Sequence, residues 1–381
     1  MKDPSVAVVG GGINGSGIAW ELARRGYRVT LFDKGAFGAQ TSATSSKLIH
    51  GGLRYLEHFQ IGLVREGLRE RAWLLEHAPH LVHPIELLLP LYSDSSRPAW
   101  QIGLGLTVYD ALAGLRNIGP HRRLSSEDLR GMAPLKPERL TGGFSFYDAQ
   151  ADDQMLVRTV VASARRDGVV AYEFAPVLQL EMRGLTWWIE AEPIARGGFD
   201  LVVLALGPWM NDFLGEHGIA HQAHLTLVRG SHIVLRRKIA ERGLLLQSRF
   251  DGRLFFVLPW KSHTLVGTTE VRHEGSLENI RPSSKEMSYL LRNFNSYFDP
   301  AITERDVEYS FAGVRPLVGS DPDLGKISRD YTIEEGDRMI KVFGGKLTTF
   351  MALGRRVADH VDDAFGQHRK AIPATFVKLP D

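Results

Sequence analysis

The amino-acid sequence predicts an α/β chain in which a parallel-sheet part, assembled from separated segments, carries an inserted part of antiparallel strands and helices. Three observations predict it. Val6 to Asp33 reads as an apolar strand, a glycine turn, a helix and a second strand ending in an acid. Segments between 226 and 270 alternate in strand fashion, as in Ser231–Leu235, Leu254–Leu258 and Thr264–Gly267. A late strand, Met339–Phe343, and a glycine-led helix, Phe350–Phe365, bring the chain back to the parallel part.

The opening unit is the most specific of these. Gly10-x-Gly12-x-x-Gly15 follows the strand that starts at Val6, and Ile18, Ala19 and Leu22 form the inner face of the helix after it. Gly26 ends that helix, and the strand Val29–Phe32 delivers Asp33, 18 residues after Gly15. Gly10 allows a tight turn, Gly12 lets the backbone approach a pyrophosphate, and Gly15 lets helix and strand pack closely. The helix N-terminus then faces the phosphates, and Asp33 is placed for a ribose hydroxyl pair. The unit is therefore a Rossmann-like dinucleotide site.

The remaining elements follow in order. Gly35–Ser46 is a loop of small and hydroxyl-bearing residues. Gly62–His77 has amphipathic helix spacing, and Pro79–Pro90 reads as a turn and a short apolar strand. Arg97–Leu115 is apolar on nearly all sides and fits either a core helix or a membrane-surface, quinone-facing helix, with Trp100 and Tyr109 suited to an interface. Ser125 starts a capped helix, and Asp152 caps a second that runs to Arg165. Strands are expected near 169–180, 185–191 and 199–206, the last turning at Gly207. Ser283–Phe298 is helical, and Val307–Pro316 leads back. The nucleotide part is expected to comprise 1–80, 142–222 and 312–381, and the inserted part 81–141 and 223–311.

Composition excludes several functions. With 381 residues, 46 basic and 44 acidic side chains, the net charge of +2 gives no field for nucleic acid. The absence of cysteine removes disulfides, thiol nucleophiles and thiolate metal sites, and fits a cytosolic chain. No metal site is expected. No signal peptide is expected, because a strand is predicted within a few residues of Met1.

Several stretches are more specific still: Ser45-Ser-Lys-Leu-Ile-His-Gly-Gly-Leu-Arg-Tyr-Leu-Glu57, Arg97-Pro-Ala-Trp100, Gly230-Ser-His-Ile-Val234, Gly267-Thr-Thr269, Gly313-Val-Arg-Pro-Leu317, Ser328-Arg-Asp-Tyr331 and Phe343-Gly-Gly-Lys-Leu-Thr-Thr349. On these residues the chain resembles the FAD-dependent glycerol-3-phosphate dehydrogenases, within the D-amino-acid-oxidase-like flavoproteins, from residue 5 to about 360. The usual C-terminal helical domain is expected to be missing, and the chain departs from the pattern in Ala205-Leu-Gly207 for alanine-threonine-glycine and in Glu270 where an aspartate is expected.

The resemblance implies oxidation of sn-glycerol 3-phosphate to dihydroxyacetone phosphate, with hydride passing to flavin N5 and electrons to a quinone. It also implies a cytoplasmic protein, peripheral on the inner membrane, as a homodimer or with a partner chain. Arg54, Arg315 and Lys346 would anchor the phosphate, because arginine offers a planar fork and lysine a point charge. Tyr55 and Thr268 would add hydroxyl donors. His50 is the first candidate for the base and His232 the second, because a neutral imidazole takes a proton near pH 7. Lys346 and the helix after Gly344-Gly345 would face the flavin with positive charge. Gly10, Gly12, Ile13, Asn14, Gly15, Asp33, Thr44, Ser45, Ser46, Val177, Gly207, Gly345, Leu347 and Thr348 would hold FAD. The rival readings are a related oxidase or dehydrogenase of an amino or hydroxy acid, whose carboxylate an arginine pair would also suit, and a non-catalytic flavoprotein subunit.

Overall fold

The computed structural model describes residues 3–192, 197–325 and 327–379. In chain order the first elements are β1 (Ser5–Val9), α1 (Ile13–Arg24), β2 (Arg28–Phe32), β3 (Leu48–Ile49), α2 (Ile61–His77), β4 (Val82–Tyr92) and α3 (Ala99–Ala113). Then come β5 (Arg122–Leu124), α4 (Ser126–Met132), β6 (Leu140–Ala151), α5 (Asp153–Arg166), β7 (Val170–Tyr172), β8 (Val177–Arg183), β9 (Thr186–Ala191), β10 (Gly197–Phe199) and β11 (Leu201–Leu204). The chain continues through α6 (Met210–Glu216), β12 (Leu225–Leu235), β13 (Gly243–Gln247), β14 (Leu254–Trp260), β15 (His263–Gly267), β16 (Val271–Arg272) and α7 (Ser284–Asn295). It closes with β17 (Val307–Val318), β18 (Tyr331–Gly336), β19 (Met339–Gly344) and α8 (Phe350–Ala364).

One sheet has the order β18-β19-β11-β1-β2-β7. All its pairings are parallel except β18 with β19. Its central strands β1 and β11 are buried on both faces, as a sheet covered on both sides requires. Val6, Val8, Val29, Leu31, Leu201 and Val203 pack under α1, α5 and α8. Ala7, Val9, Val202 and Leu204 pack on the opposite face, against β8, β9 and α6. Gly17 and Gly354 bring α1 and α8 together: a Cβ at Gly17 would lie 2.6 Å from the Phe350 ring, and one at Gly354 would lie 3.0 Å from the Gly17 carbonyl.

The second sheet runs β16-β12-β15-β14-β13-β4-β6-β3, with β17 on β12 and β5 on β6. One face packs on α4 and α7, and the other faces α2 and α3. β6 and β17 both pair within this sheet, so they run across the expected segment boundaries at 142 and 312.

Several elements are longer or more numerous than expected. β4 runs for 11 residues through Pro84 and Pro90, because the ladder with β6 and burial of Leu87, Leu88 and Leu91 outweigh two missing amide donors. β13 and β18 had no strand expectation; Gly243-Leu-Leu-Leu-Gln247 is a buried apolar run without alternation. The helix starts at Ser125 and Asp152 have the expected caps. α3 is buried along one face, and that face includes Tyr109, which the sequence suited to an interface. Leu106 and Tyr109 are buried, while Trp100 is 72% and Leu104 58% exposed. No helix of the described residues is long and apolar enough to cross a membrane.

Candidate active site

A cavity of about 790 Å³ lies between the two sheets. Its first wall is the glycine turn after β1. Gly10 takes φ +108°, and Gly15 packs into the turn so closely that a Cβ there would sit 1.8 Å from the Gly10 carbonyl oxygen. Alone among the expected site residues, Gly15 does not line the cavity. α1 begins at Gly12 with no side-chain cap of its own and no acid in its first turn, which leaves its positive end toward the cavity. Asn14 Oδ1 is buried without a partner, while its Nδ2 donates to the Gly344 carbonyl at 3.1 Å. Gly345, at φ +103°, admits no side chain because a Cβ would meet Asn14 at 2.3 Å. Ser42 Oγ accepts from the first amide of the helix, Ile13 N–H, at 3.0 Å; the room left by these glycines, the rest of the helix end and the orphaned Asn14 oxygen fit a dinucleotide.

Asp33 reaches the cavity, yet its carboxylate is engaged by the turn itself. Gly11 N–H donates to Oδ2 at 2.6 Å and Gly35 N–H to Oδ1 at 2.8 Å. Burial pushes its carboxyl upward despite those two bonds. Thr44, Ser45, Ser46, Val177, Gly207, Leu347 and Thr348 also line the cavity. The hydroxyls of the two serines are already in use: Ser45 Oγ donates to Asp153 at 2.7 Å, and Ser46 Oγ bonds His232 Nε2 at 2.9 Å.

The 41–46 loop is held from behind by a buried ion pair, Lys47 Nζ to Asp153 Oδ1 at 2.6 Å. Lys47 also donates to the Ala43 carbonyl at 2.7 Å and adopts φ +61°, a left-handed backbone uncommon for a side-chain-bearing residue. Sequence reasoning saw Asp153 only as part of a helix start. The adjacent acids Asp152 and Asp153 were the available signal, since one cap needs one carboxylate.

At the other end of the cavity the expected cations converge. Arg54, Tyr55, Thr268, Arg315 and Lys346 line one region, together with Arg329 and Glu270. Lys346 Nζ lies 4.2 Å from the centre of the Tyr55 ring. Burial lowers the Lys346 ammonium from its ordinary range. Burial, reinforced by Arg329, lowers Arg315 to about 10. Arg315 Nη2 donates to the Thr269 carbonyl at 3.2 Å, while its buried Nε has no partner. Arg329 was not assigned a site role from sequence, although the Ser328–Tyr331 stretch contains it.

The two histidines differ. His50 lines the cavity and is anchored by its backbone N–H to Thr348 Oγ1 at 3.2 Å; burial first, and then Lys346 foremost among the cations, lower its imidazole against the opposing charge of Asp148. His232 is 3% exposed and stacked on Phe311 with ring centres 4.9 Å apart. Burial, then Arg315 and Lys47, push it down to about 3. Gly267 makes room for that ring, because a Cβ there would lie 2.1 Å from it.

Residues 5–360 match the family described as FAD dependent oxidoreductase, DAO. The D-erythritol 1-phosphate dehydrogenase of Brucella abortus is 36% identical over 389 residues, 96% of this chain and 76% of that protein. The aerobic glycerol-3-phosphate dehydrogenase of Escherichia coli is 36% identical over 402 residues, 99% of this chain and 76% of that protein. Among solved structures, the glycerol-3-phosphate dehydrogenase from Bacillus halodurans complexed with FAD is similar with a TM-score of 0.78 at 25% identity. That match covers 97% of this chain and 66% of the other. The chain thus belongs to the FAD-dependent oxidoreductases, in the glycerol-3-phosphate dehydrogenase family, and its cofactor is FAD.

Proposed function

We propose that this protein oxidises sn-glycerol 3-phosphate to dihydroxyacetone phosphate and passes the electrons to a quinone. The observation that carries the reading is the convergence of Arg54, Arg315, Arg329 and Lys346 on one end of the flavin cavity. Four cations against one carboxylate, Glu270, suit a phosphate dianion better than a monoanionic carboxylate. Bound FAD supplies the hydride acceptor.

The chain's own residues do the rest. The arginines and Lys346 hold the phosphate and so fix the carbinol carbon relative to the cofactor cavity. Tyr55 and Thr268 add hydroxyl contacts. His50 takes the hydroxyl proton: burial keeps its imidazole neutral at pH 7, and it faces the cavity. His232, held down to about 3 and tied to Ser46, orients that serine rather than exchanging protons near neutrality. Gly10, Gly12, Ile13, Asn14, Gly345, Leu347 and Thr348 shape the cofactor wall, with Gly15 behind them. Trp100, Leu104 and Leu115, with Phe59 at 87% exposure nearby, give an apolar outer surface that supports peripheral contact with the cytoplasmic face of the inner membrane and access to quinone.

The similarity to the Brucella abortus enzyme supports a second substrate reading, a longer polyol phosphate. Anaerobic titration of the FAD-loaded protein with sn-glycerol 3-phosphate, following flavin absorbance, tests both. Bleaching at a small stoichiometric excess is expected. Bleaching only with D-erythritol 1-phosphate would select the longer substrate, and bleaching by amino or hydroxy acids alone would reject both. Arg315→Ala should raise the half-saturating concentration about 100-fold with flavin content unchanged.

A further inference from the structure

Glu270 is an acid in a place that should repel an anionic substrate. It follows β15, lines the cavity and is 9% exposed. Its side-chain Oε1 accepts from Arg329 Nη2 and lies 3.5 Å from Arg315 Nη1. One oxygen is thus shared by two of the arginines that face the substrate. The backbone around it is fixed on several sides. Its own carbonyl accepts from Arg253 Nη1 at 2.5 Å. The preceding Thr269 donates through Oγ1 to Glu286 at 2.8 Å, and accepts there from Ser231 N–H at 2.9 Å. The packing is close: a Cβ at Gly230 would come within 2.5 Å of Thr268 Oγ1 and 3.2 Å of Arg315 Nη2.

We propose that Glu270 is a positioning residue, which holds Arg315 and Arg329 side by side as a preformed fork for the phosphate. This rests on the assignment of the cationic cluster to the substrate phosphate. The physical case is one of placement against repulsion. Two guanidinium groups at one site repel each other and, without a shared counterion, would turn toward solvent or be disordered by it. The carboxylate engages Arg329 Nη2 and the Nη1 side of Arg315, and Arg315 Nε stays buried and unpartnered. A donor kept unpaired in a dry site is one that a ligand oxygen can satisfy. The carboxylate itself stays charged: burial pushes it up, but Arg329 and Arg315 outweigh burial and hold it below its ordinary range. Preorganisation of this kind acts on binding of the anion rather than on the proton or hydride.

The test uses the FAD-loaded protein with Glu270→Gln and Glu270→Asp. Two quantities are read: KM for sn-glycerol 3-phosphate against the rate of anaerobic flavin reduction at saturation, and the dissociation constant of inorganic phosphate from its perturbation of the oxidised flavin spectrum. Positioning predicts that Glu270→Gln raises KM and weakens phosphate binding by about tenfold each, with the saturating rate changed by less than about threefold. Glu270→Asp, which keeps the charge on a shorter arm, should fall between. Tighter phosphate binding in Glu270→Gln would overturn the proposal, since the carboxylate would then be a mere competitor for the arginines. A lower saturating rate with unchanged KM and phosphate affinity would also overturn it. If the unmodified protein binds phosphate in a Glu270-dependent way but is not reduced by sn-glycerol 3-phosphate, the positioning role stands and the substrate assignment falls. Failure of the unmodified protein to bind phosphate removes both.

Discussion

The two ends of the cavity are built from different materials. At the cofactor end the chain contributes backbone: glycines at 10, 12 and 345, and the start of α1. At the anion end it contributes long side chains, Arg54, Arg315, Arg329 and Lys346, from four separated stretches. The first construction is steric, and a single added methyl group at Gly10, Gly15 or Gly345 conflicts with it. The second is electrostatic, and each member can be weakened by degrees. A dinucleotide is long and needs close approach along its length, whereas a phosphate is compact and needs charge and orientation.

The largest effect expected from this contrast is at Gly15. Gly15→Val would drive a side chain into the Gly10 carbonyl, 1.8 Å from the new Cβ, and the purified protein should carry no flavin absorbance. Retention of FAD by that variant would show that the turn yields, and the contrast would collapse. Next is the joint between the two constructions, the buried Lys47–Asp153 pair, which ties the 41–46 loop to the start of α5. Asp153→Asn leaves the Lys47 charge uncompensated and should cost about 3 kcal/mol in urea unfolding of the FAD-loaded protein. A loss under about 1 kcal/mol would mean that the loop is held elsewhere.

The smallest effect concerns pH and the anion end. His232 sits near 3 in the folded chain, against an ordinary value of 6.5. An unfolded chain binds a proton at this site more readily than the folded one does, so folding is favoured fully above about pH 6.5 and the contribution is lost as pH falls toward 3. The loss is about 2 kcal/mol at pH 5. Urea midpoints at pH 7 and pH 5 should therefore differ less in His232→Gln than in the unmodified protein. Equal differences in the two proteins would remove His232 as the group responsible.

The same contrast explains what could be read from the sequence. Gly10, Gly12, Gly15 and Asp33 form a contiguous strand–turn–helix–strand unit, so local spacing carried the fold of that unit and the wall it gives to the cavity. β13 escaped because a buried run such as Leu244-Leu-Leu246 has no alternation to mark it. At the anion end no spacing relates Arg54 to Arg315; only resemblance to known motifs joined them. Arg329 stood inside one of those motifs without a role, and Glu270 was noticed merely as a departure. The use of Ser45 and Ser46 was hidden for the same reason: their partners, Asp153 and His232, are 108 and 186 residues away. Long-range partners chosen by the fold leave no periodic trace in the chain.

The strand order of the parallel sheet has a consequence in time. β1 is flanked by β2, made at once, and by β11, whose other neighbour is β19. Gly345, just after β19, and the helix that crosses α1 at Gly17 come later still. At a synthesis rate of about 5 to 20 residues per second, roughly 15 to 65 s separate the first strand from β19. During that interval the glycine turn exists without its opposite wall. Flavin capture is therefore a late event in the life of the nascent chain, and until then Val6, Val8, Ile18 and Trp20 lack the cover of α8.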